Sequence, residues 1–514
     1  MLDPMPVGRT HSISLLGMTG AVVEIEADIS NQLPMFVLIG LPDAALNEAK
    51  DRVRSAITNS GLELPHRKVT INLSPAALPK HGSGFDLAIA LAVLAAAGDV
   101  SAESIDRVAH LGELGLDGRL RPINGVLPAV MGAARAGFGT VMVPTGNADE
   151  ASLVPGVRVI PVASLRDAAI WHGATCDPIP VEPLIRILPP TVEEELDLAD
   201  VIGNEDAIDA MLVAAAGGHH VFLLGPPGAG KTMLASRLPS LLPPLTAEQA
   251  LEVSSVRSLS GMPVGSTLAT RAPFEAPHHT ASAAALVGGG SGLIRPGAAA
   301  RASHGVLFLD EAPEFPSAVL DALRQPLESG VISIHRANAV AHYPGSFQLV
   351  MAANPCPCGQ YGARDSECTC TPFNRRRYLA RISGPLLDRI DIQLRVQRIT
   401  SAQLRVSTES PRLSSGEARE RVVAARERTA VRLEGTPWTL NSHVPGSWLR
   451  GPAARLPTAT TASIDRALER GGITMRGYDR VLRVGWTLAD LDAAPVPTAE
   501  HIGRALYLRK AISS

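Results

Sequence analysis

The octapeptide GPPGAGKT at residues 225–232 constrains the fold of this chain more than any other segment. It fits the pattern G-x-x-x-x-G-K-[ST], in which backbone N–H groups wrap phosphates, the lysine contacts the β- and γ-phosphates and the hydroxyl ligates Mg²⁺. An apolar run at residues 220–224 precedes the loop, and a helix-forming run at residues 233–238 follows it. The order strand, loop, helix predicts an α/β nucleotide-binding core with ATP and Mg²⁺ as cofactors. The predicted binding residues are Gly225, Pro226, Pro227, Gly228, Ala229, Gly230, Lys231 and Thr232.

Two carboxylates at the end of a second apolar run are the predicted partners of this loop. The run Val306–Leu309 is typical of a buried strand and leads into Asp310 and Glu311. We expect Asp310 to ligate Mg²⁺ beside the threonine of the loop, and Glu311 to act as general base on the attacking water. A third apolar run, Gln348–Ala353, ends in Asn354. Its amide is expected to orient that water, and the alternative is an asparagine that caps a turn.

Composition favours a folded protein of several domains. The chain has 514 residues, 46% hydrophobic and 19% charged, with a net charge of −3. That length suits two to four domains, and the weak net charge means that contact with nucleic acid needs a local basic lining. The longest apolar run, Leu87–Ala97, is too short for a membrane span and predicts a core helix. With no signal peptide visible, we expect a cytoplasmic protein without membrane contact.

Periodicity and composition divide the chain into four predicted parts. Residues 1–176 alternate strand-like and helix-like stretches, and residues 177–199 form a proline-rich linker. Residues 200–400 carry the nucleotide motifs, and residues 401–514 are mainly helical. Predicted strands and helices outside the nucleotide motifs are Val22–Ile29 and Val69–Leu73, then Asp43–Ser60, Asp86–Ala97, Glu417–Leu433, Thr461–Arg470, Arg476–Leu491 and Thr498–Ile512.

Four of the five cysteines are close together in the chain. They form two C-x-C pairs, Cys356 with Cys358 and Cys368 with Cys370. Four thiolates within reach of one another suit a structural zinc ion, although C-x-C is tighter than the usual C-x₂-C. The alternative is a loop that carries four reduced thiols.

An alternating segment and a histidine pair mark two insertions in the nucleotide-binding part. Val331–Tyr343 alternates apolar and polar residues around a turn, which predicts a β-hairpin. His278 and His279 stand in the other insertion. Because no third ligand is evident beside them, loop structure is favoured over a metal site.

These motifs, in this order, resemble AAA+ ATPases of the magnesium-chelatase-like branch, and most of all the ComM (YifB) family. Further matching segments are APHHTASAAALVGGG at residues 276–290, MAANPCPCG at 351–359, ISGPLLDRIDI at 382–392 and RGYDRVLRVGWTLADL at 476–491. The resemblance covers nearly the whole chain. It implies that residues 200–400 form a three-layer AAA+ core, followed by a helical lid like the C-terminal region of magnesium chelatase.

The resemblance implies two catalytic arginines and a ring. Arg389 matches the family's arginine finger, which reaches the ATP of the neighbouring subunit. Such a finger accelerates hydrolysis by about 10³–10⁵. Arg476 matches the sensor-2 arginine of the lid, with Arg480 and Arg483 as alternatives on the same stretch. A finger that serves the next subunit requires a homo-oligomer, and the family implies a hexamer.

The resemblance also implies a role for the predicted hairpin. In this branch such hairpins point into the channel of the ring, where His335, Arg336 and Arg301 are expected to contact DNA phosphates irrespective of sequence. The alternative is a hairpin that only packs between subunits.

The N-terminal part resembles the Lon-protease-type, ribosomal-S5-like α/β fold. Residues 78–98 and 111–137 carry this resemblance. Active members need a nucleophilic serine and a lysine base. The serine position falls near Gly84 and the lysine position near residues 123–124, and no lysine follows Lys80 before the nucleotide loop. We therefore predict a proteolytically inactive domain.

These inferences favour an ATP-driven hexameric motor acting on DNA. By resemblance it would work on branched or single-stranded DNA, as a branch-migration helicase in homologous recombination and natural transformation. The alternatives are a magnesium-chelatase-like metal-insertion ATPase and a protein-remodelling AAA+ ATPase. The Lon-like domain and the cysteine pairs depart from the first plan, and no aromatic pore loop supports the second.

Overall fold

The N-terminal part of the computed structural model is built on a mixed β-sheet. The structure describes residues 7–40, 44–78, 80, 82–185, 196–290, 294–336, 339–362, 368–399 and 412–510. The first strands are β1 Gly8–Leu16, β2 Thr19–Ser30, β3 Met35–Ile39, β4 Lys68–Ser74, β5 Ala109–His110, β6 Glu113–Leu114, β7 Leu120–Arg121, β8 Thr140–Pro144 and β9 Arg158–Val162. Seven of them form one sheet in the order β3-β4-β2-β1-β5-β8-β9, and β6 pairs with β7 beside it. The helices are α1 Ala44–Asn59, α2 Asp86–Ala97, α3 Ala102–Asp106, α4 Val126–Arg135, α5 Ala148–Ala151 and α6 Leu165–Trp171.

The long apolar run forms α2, the central helix of this part, as predicted. Every residue from Asp86 to Ala96 is buried against the sheet and the neighbouring helices. The carboxylate of Asp86 accepts two hydrogen bonds from Arg52, of 2.8 and 3.1 Å, and burial raises its pKa to about 6. Across the part of the chain that the structure describes, no helix has the length and apolarity that crossing a bilayer requires.

Two histidines of the N-terminal part share a buried hydrogen bond. His110 Nε2 and His172 Nε2 lie 3.0 Å apart. The Nδ1 atom of His110 lies 2.7 Å from Thr10 Oγ1, and that of His172 lies 2.9 Å from Ser104 Oγ. Burial lowers the pKa of both imidazoles, that of His172 to about 4. The folded domain therefore holds both rings neutral at pH 7.

We expect this pair to cost stability as the pH falls from about 6.5 to about 4. In that window the unfolded chain binds protons at histidines with a pKa of about 6.5, while the folded pair does not. Urea unfolding at pH 7 and pH 5 should show a smaller loss of unfolding free energy for His172→Gln than for the parent chain. The raised pKa of Asp86 acts in the opposite direction in both proteins and cancels in the comparison. Identical losses would contradict the assignment.

The second part is a parallel α/β core, which confirms the predicted fold class. Its strands are β10 Val221–Leu224, β11 Phe274–Glu275, β12 Gly288–Gly289, β13 Arg295–Pro296, β14 Val306–Leu309, β15 Val331–Arg336, β16 Ala339–Pro344, β17 Gln348–Ala353 and β18 Ile392–Arg395. Five of them form an all-parallel sheet in the order β11-β14-β17-β10-β18. Its helices are α7 Glu205–Gly217, α8 Lys231–Leu241, α9 Ala247–Leu259, α10 Ala283–Val287, α11 Ala298–Arg301, α12 Ser317–Asp321, α13 Pro326–Ser329, α14 Pro372–Leu379 and α15 Gly384–Leu387.

Two hairpins lie side by side on this core. The predicted hairpin is formed by β15 and β16, and β12 pairs with β13 in the other insertion. Tyr343 of β16 donates a hydrogen bond of 2.6 Å to the carbonyl oxygen of Ile294, just before β13. A Cβ on Gly289 would lie 3.6 Å from Arg336 Nη2. The side chains of His335 and Arg336 are exposed, whereas Arg301 is bonded to Glu275 at 2.8 Å.

A helical lid follows the core. Its helices are α16 Ser415–Arg432, α17 Gly446–Leu449, α18 Thr458–Glu469, α19 Met475–Leu491 and α20 Ala499–Lys510. The lid is fixed to the core at the buried Asp391, whose carboxylate bonds to Arg480 at 2.5 Å and to His219 at 3.2 Å. The predicted linker and the polar connection fall partly outside the described residues, at 186–195 and 400–411.

The N-terminal part is packed against the core through the β1–β2 turn. Leu15, Leu16 and Met18 pack on the apolar cluster beneath the β15–β16 hairpin. Gly17 has a φ of 62°, and a Cβ there would lie 2.6 Å from the carbonyl oxygen of His342 in β16. Only glycine permits this close approach in the left-handed region. The turn therefore holds the second strand of the hairpin.

Candidate nucleotide site

The loop predicted to bind phosphates runs from β10 into α8. Gly228 and Gly230 have φ values of 75° and 90°, and a Cβ on either would meet no atom within 4 Å. Open space above two left-handed glycines lets phosphate oxygens approach the backbone N–H groups, so the loop fits a nucleotide. Gly225 is required for another reason. A Cβ there would lie 2.3 Å from the carbonyl oxygen of Val396, where the loop passes the end of β18.

The lysine of the loop is brought together with the predicted asparagine. Lys231 Nζ donates hydrogen bonds to the carbonyl oxygens of Gly225 and Pro226, at 2.6 and 3.1 Å, and to Asn354 Oδ1 at 3.2 Å. The side chain is 8% exposed. Burial lowers the pKa of the ammonium, and two nearby carboxylates oppose that shift. The ends of β10 and β17 thus form one polar centre.

The predicted magnesium ligands are in direct contact. Thr232 Oγ1 donates a hydrogen bond of 2.8 Å to Asp310 Oδ2. Asp310 follows β14, so the carboxyl end of that strand lies beside the first turn of α8. A hydroxyl and a carboxylate oxygen at this edge are the oxygen ligands that Mg²⁺ takes in nucleotide sites. The two residues fit the predicted metal.

The predicted general base has a histidine partner that sequence reasoning missed. Glu311 has a φ of 50°, a left-handed conformation that costs a non-glycine residue about 1–2 kcal/mol. Its Oε2 lies 3.2 Å from Nδ1 of His279, in the segment that follows β11. Glu311 and His279 follow different strands, so no local sequence pattern predicts this contact. His279 therefore belongs to the site and not simply to a structured loop.

We expect His279→Ala to lower the rate of ATP hydrolysis about tenfold while the KM for ATP stays unchanged. The imidazole holds the carboxylate of Glu311 in one orientation, and alanine leaves that carboxylate free to turn away from the attacking water. Steady-state kinetics measures both constants. His278→Ala is the control, because it removes the neighbouring imidazole, whose Nδ1 bonds to Thr280 and not to Glu311. Equal losses in both variants would argue against a specific role.

A small cavity continues the site beyond the phosphate loop. It has a volume of about 320 Å³ and is lined mainly by Val201, Ile202, Met233, Leu234 and Ile399, beside the loop glycines. Apolar walls of this kind suit a purine base. A larger cavity of about 1170 Å³ lies between the end of α8, β11 and the start of α16, and none of the predicted nucleotide residues lines it.

The two predicted arginines lie near each other, because Arg476 is paired with the residue before Arg389. Arg389 donates from Nη1 to the carbonyl oxygen of Pro385 at 2.5 Å and bonds through Nη2 to Glu328. Arg476 Nη1 lies 3.6 Å from Asp388 Oδ2, next to Arg389 in the chain, and its side chain is 74% exposed. Within the described residues, neither guanidinium bonds to the phosphate loop of its own chain.

The alternative lid arginines have structural partners. Arg480 bonds to the buried Asp391, and Arg483 donates a hydrogen bond of 2.8 Å to the carbonyl oxygen of Val444. Burial opposes the ionisation of Asp391, but Arg480 and His219 hold its pKa well below the usual range. Arg476 therefore remains the exposed member of the three.

The four clustered cysteines lie close enough together to bind one metal ion. Their Sγ atoms all lie within 4.8 Å of one another. Cys356 Sγ lies 3.3 Å from Cys358 Sγ and 3.7 Å from Cys368 Sγ. Tetrahedral Zn–S bonds of about 2.3 Å place sulfurs about 3.8 Å apart, so the cluster can bind a metal. A hydrogen bond from the backbone N–H of Gln360 lowers the pKa of Cys358 to about 6, which favours a thiolate.

The cysteine loop also touches the phosphate loop. A Cβ on Gly359 would lie 2.7 Å from the ring of Pro227. Asn354 stands two residues before the first cysteine. The cysteine loop therefore lies close to the phosphate loop and directly follows Asn354 in the chain.

In the N-terminal part, the positions expected for the Lon-type serine and lysine lie close together, but they hold neither a serine nor a lysine. A Cβ on Gly84 would lie 3.4 Å from Ile123 Cδ1. Ser83 donates its hydroxyl hydrogen bond to Glu113. The ammonium of Lys80 is buried and donates to three backbone carbonyls, including that of Pro75 at 2.7 Å. Among the residues that the structure describes, Ser83 and Lys80 therefore bond to other groups and not to each other.

A phosphate loop, a carboxylate pair at the end of a parallel strand and a polar side chain at the end of the strand between them define a P-loop ATPase of the AAA+ class. Sequence models of the protein family described as magnesium chelatase, subunit ChlI, match residues 25–147 and 197–404. A model of the C-terminal region of the same subunit matches residues 412–509.

Full-length relatives narrow the class to one family. An uncharacterized protein of Mycobacterium tuberculosis is 47% identical over 513 residues, which cover 98% of this chain and 99% of the relative. The uncharacterized protein YifB of Escherichia coli is 40% identical, over 98% of this chain and 97% of YifB. The competence protein ComM of Haemophilus influenzae is 39% identical, over 98% of each chain. The chain belongs to the ComM (YifB) family of magnesium-chelatase-like ATPases.

A partial match accounts for the N-terminal part. A Lon protease of Mycolicibacterium smegmatis is 29% identical over 181 residues, which cover 33% of this chain and 23% of that protease. This match supports the predicted Lon-like fold.

Proposed function

We propose that six copies of this chain form a ring that hydrolyses ATP between neighbouring subunits and uses the energy to move DNA. The observation that carries this proposal is that Arg389 and Arg476 lie near each other and pair with Glu328 and Asp388, and not with the phosphate loop of their own chain within the described residues. Arginines placed in this way can serve the phosphates of a neighbouring subunit. Family resemblance supports the number six.

The chemistry follows from the side chains at the strand ends. Bound MgATP supplies the phosphoanhydride bond that is cleaved. Glu311 accepts a proton from the attacking water, and Asn354 orients that water. Lys231 offsets charge on the phosphates, and Arg389 of the adjoining subunit offsets the charge that develops as the bond breaks.

The paired hairpins support DNA as the substrate that is moved. His335 and Arg336 are exposed at the end of β15, beside the β12–β13 hairpin. Contacts from these side chains to phosphates would be weakened by salt and independent of sequence, as a translocating motor requires. The relative in Haemophilus influenzae is named a competence protein. That name supports a role in competence, and family resemblance adds branched DNA as the substrate and branch migration as the work done.

A metal-insertion ATPase is the second candidate, because the matching family models are those of a magnesium chelatase subunit. It predicts ATP turnover that does not respond to DNA. The cysteine cluster and the Lon-like part depart from the plan of a metal-insertion ATPase, so this candidate ranks second. We propose that the Lon-like part is a non-proteolytic platform of the ring.

ATP hydrolysis by the purified chain tests the proposal directly. Rates are compared without DNA, with linear duplex, with single strands and with a four-way junction, at moderate salt. We expect the junction to stimulate turnover most, and light scattering to show a hexamer in the presence of ATP. Turnover indifferent to every DNA would move the assignment to the metal-insertion or protein-remodelling class.

We further propose that the cysteine cluster binds zinc, in a cytoplasmic protein whose thiols stay reduced. The purified chain is expected to retain about one zinc ion per subunit through gel filtration with a chelator, measured by mass spectrometry. Cys368→Ser should lose the ion, because it removes one of four ligands. Cys176→Ser is the matched control, since Cys176 is free and stands outside the cluster. Equal zinc contents in the two variants would contradict the site.

A further inference from the structure

We infer that Glu328 is a positioning residue for Arg389 and connects it to the β15–β16 hairpin. The inference rests on the proposed function, because it concerns an arginine that serves the ATP of a neighbouring subunit. Glu328 lies outside every sequence motif described above. It links the arginine that reaches the neighbouring ATP to the hairpin proposed to contact DNA.

The first step concerns how Arg389 is held. Its side chain is 13% exposed, and that of Glu328 is 65% exposed. The Nη1 atom bonds to Pro385, only four residues earlier in the chain, and the buried Nε atom has no hydrogen-bond partner among the described residues. Among the described residues, the carboxylate of Glu328 is the partner that reaches Arg389 from another element, 61 positions away. The direction of the guanidinium therefore depends on where Glu328 stands.

The second step concerns what holds Glu328. It belongs to α13, which ends at Ser329, and Gly330 joins that helix to β15. The carbonyl oxygen of Val331 accepts hydrogen bonds from Ser329 Oγ at 2.9 Å and from Gln325 Nε2 at 3.1 Å. Ser329 lies in α13 with Glu328, and Gln325 is the residue just before that helix. The base of the hairpin and the carboxylate therefore move together.

The second strand of the hairpin is attached to the same point. The backbone N–H of Gly345, just after β16, donates a hydrogen bond of 2.8 Å to the carbonyl oxygen of Gly330. A hairpin displaced by DNA at His335 and Arg336 would shift Glu328 and turn Arg389. Displacing a catalytic group by about 1 Å can change a rate about 100-fold, so a small shift is sufficient to couple DNA contact to hydrolysis.

Mixed rings separate this role from a general structural one. Lys231→Ala subunits lose their own ATP site but keep the finger, whereas Arg389→Ala subunits keep the site and lose the finger. An equimolar mixture of the two is expected to recover turnover that neither shows alone. Glu328→Gln is then added to one subunit type at a time, and kcat, the KM for ATP and stimulation by a four-way junction are measured.

On the Lys231→Ala subunit, Glu328→Gln should lower the recovered kcat about tenfold, leave the KM unchanged and reduce the stimulation by DNA. On the Arg389→Ala subunit it should change nothing, because that subunit has no finger to position. Asp209→Asn on the Lys231→Ala subunit is the matched control. It removes another partly exposed acid–arginine pair, with Arg504 at 3.0 Å, and should leave the rate unchanged.

The outcomes distinguish the two levels of the argument. Recovery that is indifferent to Glu328→Gln, or equally reduced from both placements, overturns the role of Glu328 and leaves the ring intact. A mixture that recovers no turnover overturns the shared ATP site and the inference with it.

Discussion

Replacing Glu311 with glutamine is expected to stop ATP turnover while ATP binding is preserved. The amide keeps the shape of the side chain and the contact with His279, but it cannot accept a proton from the attacking water. General-base catalysis contributes about 10²–10⁴ to a rate, so we expect kcat to fall by about that factor. Hydrolysis is measured by phosphate release, and binding by titration with a fluorescent ATP analogue.

Glu314→Gln is the matched control for this change. Glu314 lies three residues further on and has the same carboxylate side chain, which bonds to Arg381 at 3.0 Å. It should keep turnover within about twofold of the parent chain, as expected for a surface ion pair. A Glu311→Gln protein that still hydrolyses ATP at the parental rate would refute the assignment of the base.

Replacing Arg389 with alanine is expected to lower kcat by about 10³–10⁵ without preventing ATP binding. The guanidinium is a permanently charged, planar group, and its loss leaves charge uncompensated on the transferring phosphoryl group. Arg389→Lys should restore little of the rate, because a single ammonium cannot make the same paired contacts. Single-turnover kinetics at saturating ATP separates the chemical step from binding.

Arg381→Ala is the control for the finger. Arg381 lies on the same segment and bonds to Glu314, so Arg381→Ala removes a nearby guanidinium that has no predicted role at the ATP site. It should retain most of the turnover. If Arg389→Ala were equally active, the ring interface would have to present a different arginine, and Arg476 would be the first to test.

The residues that the structure brings together at the candidate nucleotide site could be predicted one by one, because their sequence signals are local. The loop glycines, Lys231 and the acidic pair each depend on a few neighbouring positions, and parallel strands bring their carboxyl ends to the same edge. The hairpin at residues 331–344 could be predicted equally well, because alternation of apolar and polar residues over a short span indicates paired strands.

The contacts that surround this site were not predictable, because they join distant segments. His279 reaches Glu311 from the end of another strand, and Glu328 reaches Arg389 from the turn before the hairpin. Each residue type also has a common role elsewhere, as a loop histidine or a surface glutamate. Periodicity cannot distinguish those roles, and only the folded arrangement does.

The β1–β2 turn has a consequence for how this chain can be divided. Leu15, Leu16 and Met18 cover an apolar area of the ATPase core, and Gly17 closes on the hairpin at His342. A fragment that began after the linker would keep every nucleotide residue and lose this cover. We therefore expect the ATPase core to be less stable without the Lon-like part, because this cover of the apolar area comes from that part.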